Sequence, residues 1–186
     1  MPLLEADQRT DAWLEARKGR ITASLAAACL GLCPYTSRQK AWRTILGTEK
    51  GDSNKHMRWG VEFEPVARSS YEVETGNLVE ETGFWTHPSL PWLGASPDGL
   101  IGSDGLAEIK CPSKVPAIVP IHHRIQMLVQ LAVTGRTWCD YFVWTHEATF
   151  LKRVFLVGWP GILKRLEAFY RDYVLSKKEP PKKKRK

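Results

Sequence analysis

The segment Gly94-Ala-Ser-Pro-Asp98-Gly-Leu-Ile-Gly-Ser-Asp-Gly-Leu-Ala-Glu108-Ile-Lys110-Cys-Pro112 restricts the fold more tightly than any other part of the chain. Two apolar-alternating stretches flank a Gly-Ser-Asp-Gly turn, the pattern of a β-hairpin, so Asp98 beside one strand can converge with Glu108 and Lys110 on the other. Glu108 and Lys110 are two apart and share a strand face, whereas Ile109 points into the opposite layer. Cys111-Pro112 ends the second strand, because proline offers a ladder no donor. Two carboxylates and an ammonium in one place suit a hard divalent cation, with the lysine placed to orient a water or steady developing negative charge. Pro-Asp-Gly is also an ordinary turn, and Glu-x-Lys an ordinary solvated strand face, so the hairpin alone leaves both readings open.

At 186 residues the chain suits one well-packed domain. No apolar run is long enough to span a bilayer, and the N-terminus lacks a charged-then-apolar signal pattern, which predicts an intracellular protein with no membrane partner. Four cysteines show no disulfide framework and read as buried thiols. Cys29 and Cys33 have a zinc-like spacing but no Gly-rich turn or second pair, and Cys111 and Cys139 do not complete a cluster-binding run. The net charge of +7 is uneven: seven of the 27 basic residues and one of the 20 acidic ones lie in 177–186, leaving twenty against nineteen elsewhere. Any nucleic-acid surface on the body must therefore come from local clustering.

Periodicity and capping predict helices over 11–17, 23–30 with Thr22 as cap, and 38–46 after Ser37, then a polar loop at 51–55. A long helix follows over 56–75, kinked or restarted at Pro65. Strands are expected at 78–81, 84–87, 92–96 and 106–110. A helix over 118–133, a hairpin of 138–145 with 150–157, and a helix over 160–175 complete the order. That succession predicts a single α/β domain over 1–176, a mixed central sheet flanked by helices, with a disordered basic tail at 177–186.

Glu64 on the long helix could complete a cation's shell, although Glu62 on the same helix is not separable from it by spacing. Gln126 and Gln130 lie four apart on one face of the helix after the hairpin. Both could equally belong to a polar face.

With these residues in place, the chain resembles the lambda-type, or YqaJ-like, viral recombinase exonucleases of the PD-(D/E)xK nuclease superfamily. Four strings carry the likeness: Trp13-Leu-Glu-Ala-Arg17-Lys-Gly-Arg-Ile-Thr-Ala-Ser24, Gly60-x-x-x-Glu64-Pro-x-Ala-Arg68, the Ser96-Pro-Asp-Gly to Glu-Ile-Lys-Cys-Pro core, and Gln126-Met-x-x-Gln130. The resemblance implies a restriction-endonuclease-like core. It implies that Asp98, Glu108, the Ile109 carbonyl and Glu64 bind Mg²⁺, with Mn²⁺ a possible substitute. Lys110 would position the attacking water with Gln126 beside it, and Arg17 and Ser24 would hold the 5′-phosphate. The implied activity is 5′-to-3′ digestion of double-stranded DNA ends to 3′ overhangs for recombination with a single-strand annealing protein. A homotrimer in the cytoplasm of a phage's bacterial host is also implied. His122-His123 departs from the aromatic often found ahead of the helix glutamine. The tail Pro180-Pro-Lys-Lys-Lys-Arg-Lys186 is similar to a nuclear-import signal, and also reads as a DNA-tethering arm or an expression remnant. The alternatives to an exonuclease are a structure- or site-specific endonuclease on the same core and a catalytically silent DNA-binding module.

Overall fold

The computed structural model describes residues 3–4, 8, 10–49 and 55–182. Helix α1 (Asp11–Arg17) is capped by Thr10, whose hydroxyl accepts from the Trp13 amide at 3.2 Å. Strand β2 (Ile21–Thr22) leads into α2 (Ala23–Cys29), and α3 (Arg38–Ile45) is capped in the same way by Ser37. Helix α4 (Lys55–Thr75) runs through Pro65 as one element. It takes in Lys55 from the expected loop, whose other residues lie outside the described ones.

Two four-stranded sheets follow. Strands β1 (Leu3–Leu4), β3 (Phe84–Thr86) and β4 (Leu93–Ala95) join β2 in the order β1-β3-β4-β2. Strands β5 (Gly99–Ile101), β6 (Gly105–Lys110), β7 (Trp138–Trp144) and β8 (Thr149–Phe155) form the second in sequence order. There β6 and β7 are parallel, joined by the crossover helix α5 (Ile121–Thr134), while both flanking pairs are antiparallel. The expected α/β architecture with a mixed sheet flanked by helices is present.

Three local differences stand out. The expected strand at 92–96 and the start of the hairpin belong to different sheets, because Pro97-Asp98 intervenes between β4 and β5. The 78–81 stretch makes only a single antiparallel bridge, Glu80 to Leu100. There it passes so near β5 that a Cβ on Gly99 would lie 2.1 Å from Val79 Cγ1. The last helix is α6 (Trp159–Phe169) continued by a π-helical turn, Tyr170–Leu175.

Helix α5 is buried on most of its circumference, which is why its pattern is apolar nearly all round. Ile125, Val129 and Val133 pack with the alanines of α2. Met127, Leu128 and Leu131 pack with Leu106, Tyr141 and Val143 of the sheet. On the opposite face, Ala67 and Tyr71 of α4 cover Ala107, Ile109 and Phe142. Alternation along β6 thus sends Ala107 and Ile109 toward α4 and Glu108 toward α5. Gly135, in the left-handed region at φ 70°, ends α5 and donates to Leu131 O at 2.8 Å. Of the basic tail expected over 177–186, Glu179 pairs with Arg43 at 2.6 Å and Pro180 is buried, while 183–186 lie outside the described residues. No helix among the described residues is long and apolar enough to cross a membrane.

Candidate active site

Strand β6 outruns its neighbour. Strand β5 begins at Gly99 opposite Ala107, so 108–110 have no β5 partner. Asp98 supplies one with its side chain: Oδ2 accepts from the Ile109 amide at 2.7 Å. Because both main-chain groups of a strand residue point the same way, the Ile109 carbonyl is turned to this edge too. The hairpin therefore places Asp98 beside Glu108 and Lys110.

Glu108 is fully buried. Its Oε1 accepts from Gln126 Nε2 at 2.6 Å and from the Lys110 ammonium, and its Oε2 accepts from Gln130 Nε2 at 2.6 Å. A buried carboxylate is costly unless donors meet its oxygens, and α5 supplies two of them from one face. Burial pushes the Asp98 carboxyl up to about 7, and the Glu108 charge pushes the same way against the pull of Lys110. Burial draws the Lys110 ammonium down, but the charges of Glu108 and Asp98 outweigh it and hold the group above its ordinary value.

Glu62 is exposed, whereas Glu64 is partly buried. Its carboxylate lies 3.8 Å from Arg68 Nη2, and Arg68 Nη1 donates to Glu81 at 2.7 Å. Glu64 is near enough to Cys111 to add to the burial that lifts this thiol to about 11. No group of three or more His, Cys, Asp or Glu side chains among the described residues is placed to hold a metal ion. The structure thus gathers Asp98, Glu108, Lys110 and Gln126, and leaves Glu64 beside Arg68. The donor set nevertheless fits a hard divalent ion: two half-buried or buried carboxylates that repel one another, next to a strand carbonyl, are what such a charge relieves.

A second cluster lies at the N-terminal helix. Arg17 Nη2 donates to Ser24 Oγ at 3.2 Å and to Thr22 Oγ1 at 3.4 Å, and its guanidinium lies 4.0 Å over the Trp13 ring. Burial pulls this guanidinium down to about 10, and no carboxylate among the described residues pairs with it. A desolvated guanidinium held by two hydroxyls is suited to an anion with several oxygens. Trp13 Nε1 donates to Ser96 Oγ at 2.9 Å, two residues before Asp98. Strand β2 also pairs with β4, Ile21 opposite Leu93. The arginine cluster and the carboxylates are therefore tied through one short strand.

Thr22 and Gln130 carry more of this geometry than their sequence context suggests. Thr22 reads as a helix cap, yet its hydroxyl makes no cap bond and turns to Arg17. The i to i+4 spacing of Gln126 and Gln130 was the available signal for the second glutamine. Of the two histidines, His123 Nδ1 lies 2.7 Å from the Tyr141 hydroxyl. Burial, with Lys110 and His122 adding to it, pushes His123 down to about 3, so it is neutral.

Two carboxylates and a lysine gathered at the overhanging end of an inner strand of a mixed sheet are an arrangement suited to metal-assisted hydrolysis. The chain belongs to the YqaJ-like viral recombinase domain family, whose model matches residues 12–137. It is similar to the alkaline exonuclease LHK-Exo from Laribacter hongkongensis, with 32% identity, a TM-score of 0.75, and coverage of 91% of this chain and 95% of that one. The same exonuclease solved in complex with dAMP aligns at 33% identity and a TM-score of 0.76, with the same coverage. A phage-related exonuclease from Haemophilus somnus 129PT shares the fold at 13% identity and a TM-score of 0.64, over 85% of this chain and 96% of that one. No curated protein sequence matches the chain.

Proposed function

We propose that the chain is a Mg²⁺-dependent deoxyribonuclease that digests double-stranded DNA in the 5′-to-3′ direction from 5′-phosphorylated ends. It leaves 3′ single strands for a single-strand annealing partner. Exonuclease action on DNA is supported by family membership and by the 32% identity to an alkaline exonuclease across nearly the whole chain. The observation that carries the chemistry is the grouping of Asp98, Glu108 and Lys110 at the overhang of β6. An ion bound by Asp98, Glu108 and the Ile109 carbonyl, with Glu64 reaching toward it, would polarise a phosphoryl oxygen and acidify a water, and Mn²⁺ would serve in its place.

The residues of the chain have distinct tasks. Lys110, beside Glu108, is placed as a donor that orients the water and steadies the charge that develops on the phosphoryl group. Gln126 keeps Glu108 facing Lys110. Arg17, Thr22 and Ser24 hold the terminal phosphate, and the Trp13–Ser96 bond fixes their distance from Asp98. That distance sets which phosphodiester reaches the carboxylates, and hence the direction of digestion. The likeness to an exonuclease solved with dAMP supports a deoxynucleoside monophosphate as product. A homotrimer belongs to the same reading and would be seen by light scattering.

Three substrates test it: linear duplex with 5′-phosphate, the same duplex with 5′-hydroxyl, and a covalently closed circle. The phosphorylated duplex should be digested roughly 10- to 100-fold faster than the hydroxyl one, as expected from losing about 1.5–3 kcal/mol of charge-assisted hydrogen bonding. The circle should survive, and Arg17→Ala should erase the preference for phosphate. Cutting of the circle, or indifference to the phosphate, would favour the endonuclease alternative.

A further inference from the structure

Gln126 is half-buried, but Gln130, one turn further along α5, is completely buried. Its Nε2 is the donor to Glu108 Oε2, at 2.6 Å. At the other end of the same amide, Oε1 is buried with no hydrogen-bond partner among the described residues. Turning the amide over would set that oxygen against the carboxylate, so only one orientation is attractive. An unmet acceptor in a fully buried side chain is a standing penalty. Around it on α5 the buried positions are filled by apolar groups, Met127, Val129, Leu131 and Val133 among them, apart from Thr134 in the last turn, whose hydroxyl donates to the Gln130 carbonyl. Packing alone would call for a methionine or leucine at 130. What the glutamine adds is the bond to Glu108.

We propose that Gln130 is a positioning residue, which clamps the Glu108 carboxylate from behind in the rotamer that turns Oε1 toward Lys110 and the metal-binding edge. This rests on the reading of Asp98, Glu108 and Lys110 as a metal-dependent hydrolytic site. With Oε1 held by Gln126 and Lys110, and Oε2 by Gln130, the carboxylate plane is fixed at both oxygens. Removing Gln130 frees rotation about its last bond and leaves the buried Oε2 without that donor. Partners of this kind, which bond a metal ligand from outside the coordination shell, typically govern metal affinity or activity by 10- to 100-fold.

Gln130→Met, close in volume and lacking a donor, is the test, read by cleavage of 5′-phosphorylated duplex across a Mg²⁺ titration and by melting across a Mn²⁺ titration. The variant should fold and melt within a few degrees of wild type without metal, since it also removes the unmet acceptor. Its kcat should fall about 10- to 100-fold while KM for DNA stays unchanged. The metal midpoint should rise about tenfold in both cleavage and melting. Gln130→Asn, which keeps the amide but withdraws it by one methylene, should show the same displaced midpoint and serves if the first variant does not fold. A wild-type midpoint in either variant overturns the proposal, as does a loss of kcat that only follows lost stability. If wild-type protein binds Mn²⁺ and the variants shift that midpoint, but no DNA is cleaved, the clamp stands and the nuclease reading falls.

Discussion

Replacing Asp98 with asparagine should make the metal-free protein more stable at pH 8 and leave it unchanged at pH 4, while abolishing cleavage. Burial first, and the Glu108 charge second, hold the Asp98 carboxyl at about 7 against an ordinary 3.8. A group whose folded value is raised keeps its proton more readily when folded. Its stabilising contribution is complete below about pH 4 and is lost as pH climbs through 7. At about 1.36 kcal/mol per pH unit the displacement amounts to about 4 kcal/mol at pH 8. Asp98 is only partly buried, so solvent screening reduces this to about 1–3 kcal/mol. The asparagine carbonyl can still accept from the Ile109 amide, so the bond that fixes the loop survives. For a chain of this length the gain corresponds to roughly 3–10 °C in Tm. Melting of both proteins in chelator at pH 4 and pH 8 measures it. Mg²⁺ should then reverse the order, because binding stabilises only the wild type, by about 2.7 kcal/mol at a hundredfold excess over Kd. A gain of equal size at both pH values, or a lower Tm at pH 8, would refute the claim that two repelling carboxylates share this site.

Two further substitutions probe the frame around the site. Asp140 is buried on the opposite face of β7, where it accepts from the Tyr71 hydroxyl at 2.8 Å and from Arg153 at 2.8 and 2.9 Å. Asp140→Ala should cost about 3 kcal/mol, the low end for a broken buried pair because Arg153 is half-exposed and rehydrates, with cleavage at low temperature retained. Chemical denaturation gives that cost directly. Gly99→Ala would bring a methyl to 2.1 Å from Val79 Cγ1, so overpacking should cost about 1–3 kcal/mol. Asp98 is the adjacent residue, so kcat should fall as well, by more than the folded fraction measured by circular dichroism.

Elements whose information is local were readable from the sequence. The turn Gly102-Ser103-Asp104-Gly105 sets the register of β5 and β6, and the two-residue spacing correctly assigns Glu108 and Ile109 to opposite layers. Helix α1 falls on the expected 11–17, and capping by Ser37 located α3 within a residue. What escaped depends on distant partners. Strands β1 and β2 have two residues each, too few for a period, and exist only because β3 and β4 lie beside them. The stretch 78–81 has strand-like alternation but meets β5 at one residue only. Thr22 looks like a cap until Arg17 is seen folded back over it, and the Tyr71–Asp140 bond joins residues 69 apart with no spacing signal at all. Gln126 and Gln130 were visible as a pair, but their unequal burial comes from α5 being enclosed between the α2 layer and the sheet.

On the proposed function, Asp98, Glu108 and Lys110 form one metal-dependent phosphodiesterase site. The most direct measurement is a time course on linear 5′-phosphorylated duplex, labelled at its 5′ or its 3′ end, for wild type and Lys110→Ala with Mg²⁺ or chelator. Wild type with Mg²⁺ should release the 5′ label at once and the 3′ label late. Chelator, and the folded, DNA-binding Lys110→Ala variant, should release neither, a loss of at least about 100-fold. Wild-type cleavage by Lys110→Ala, or cleavage that persists in chelator, would contradict the account.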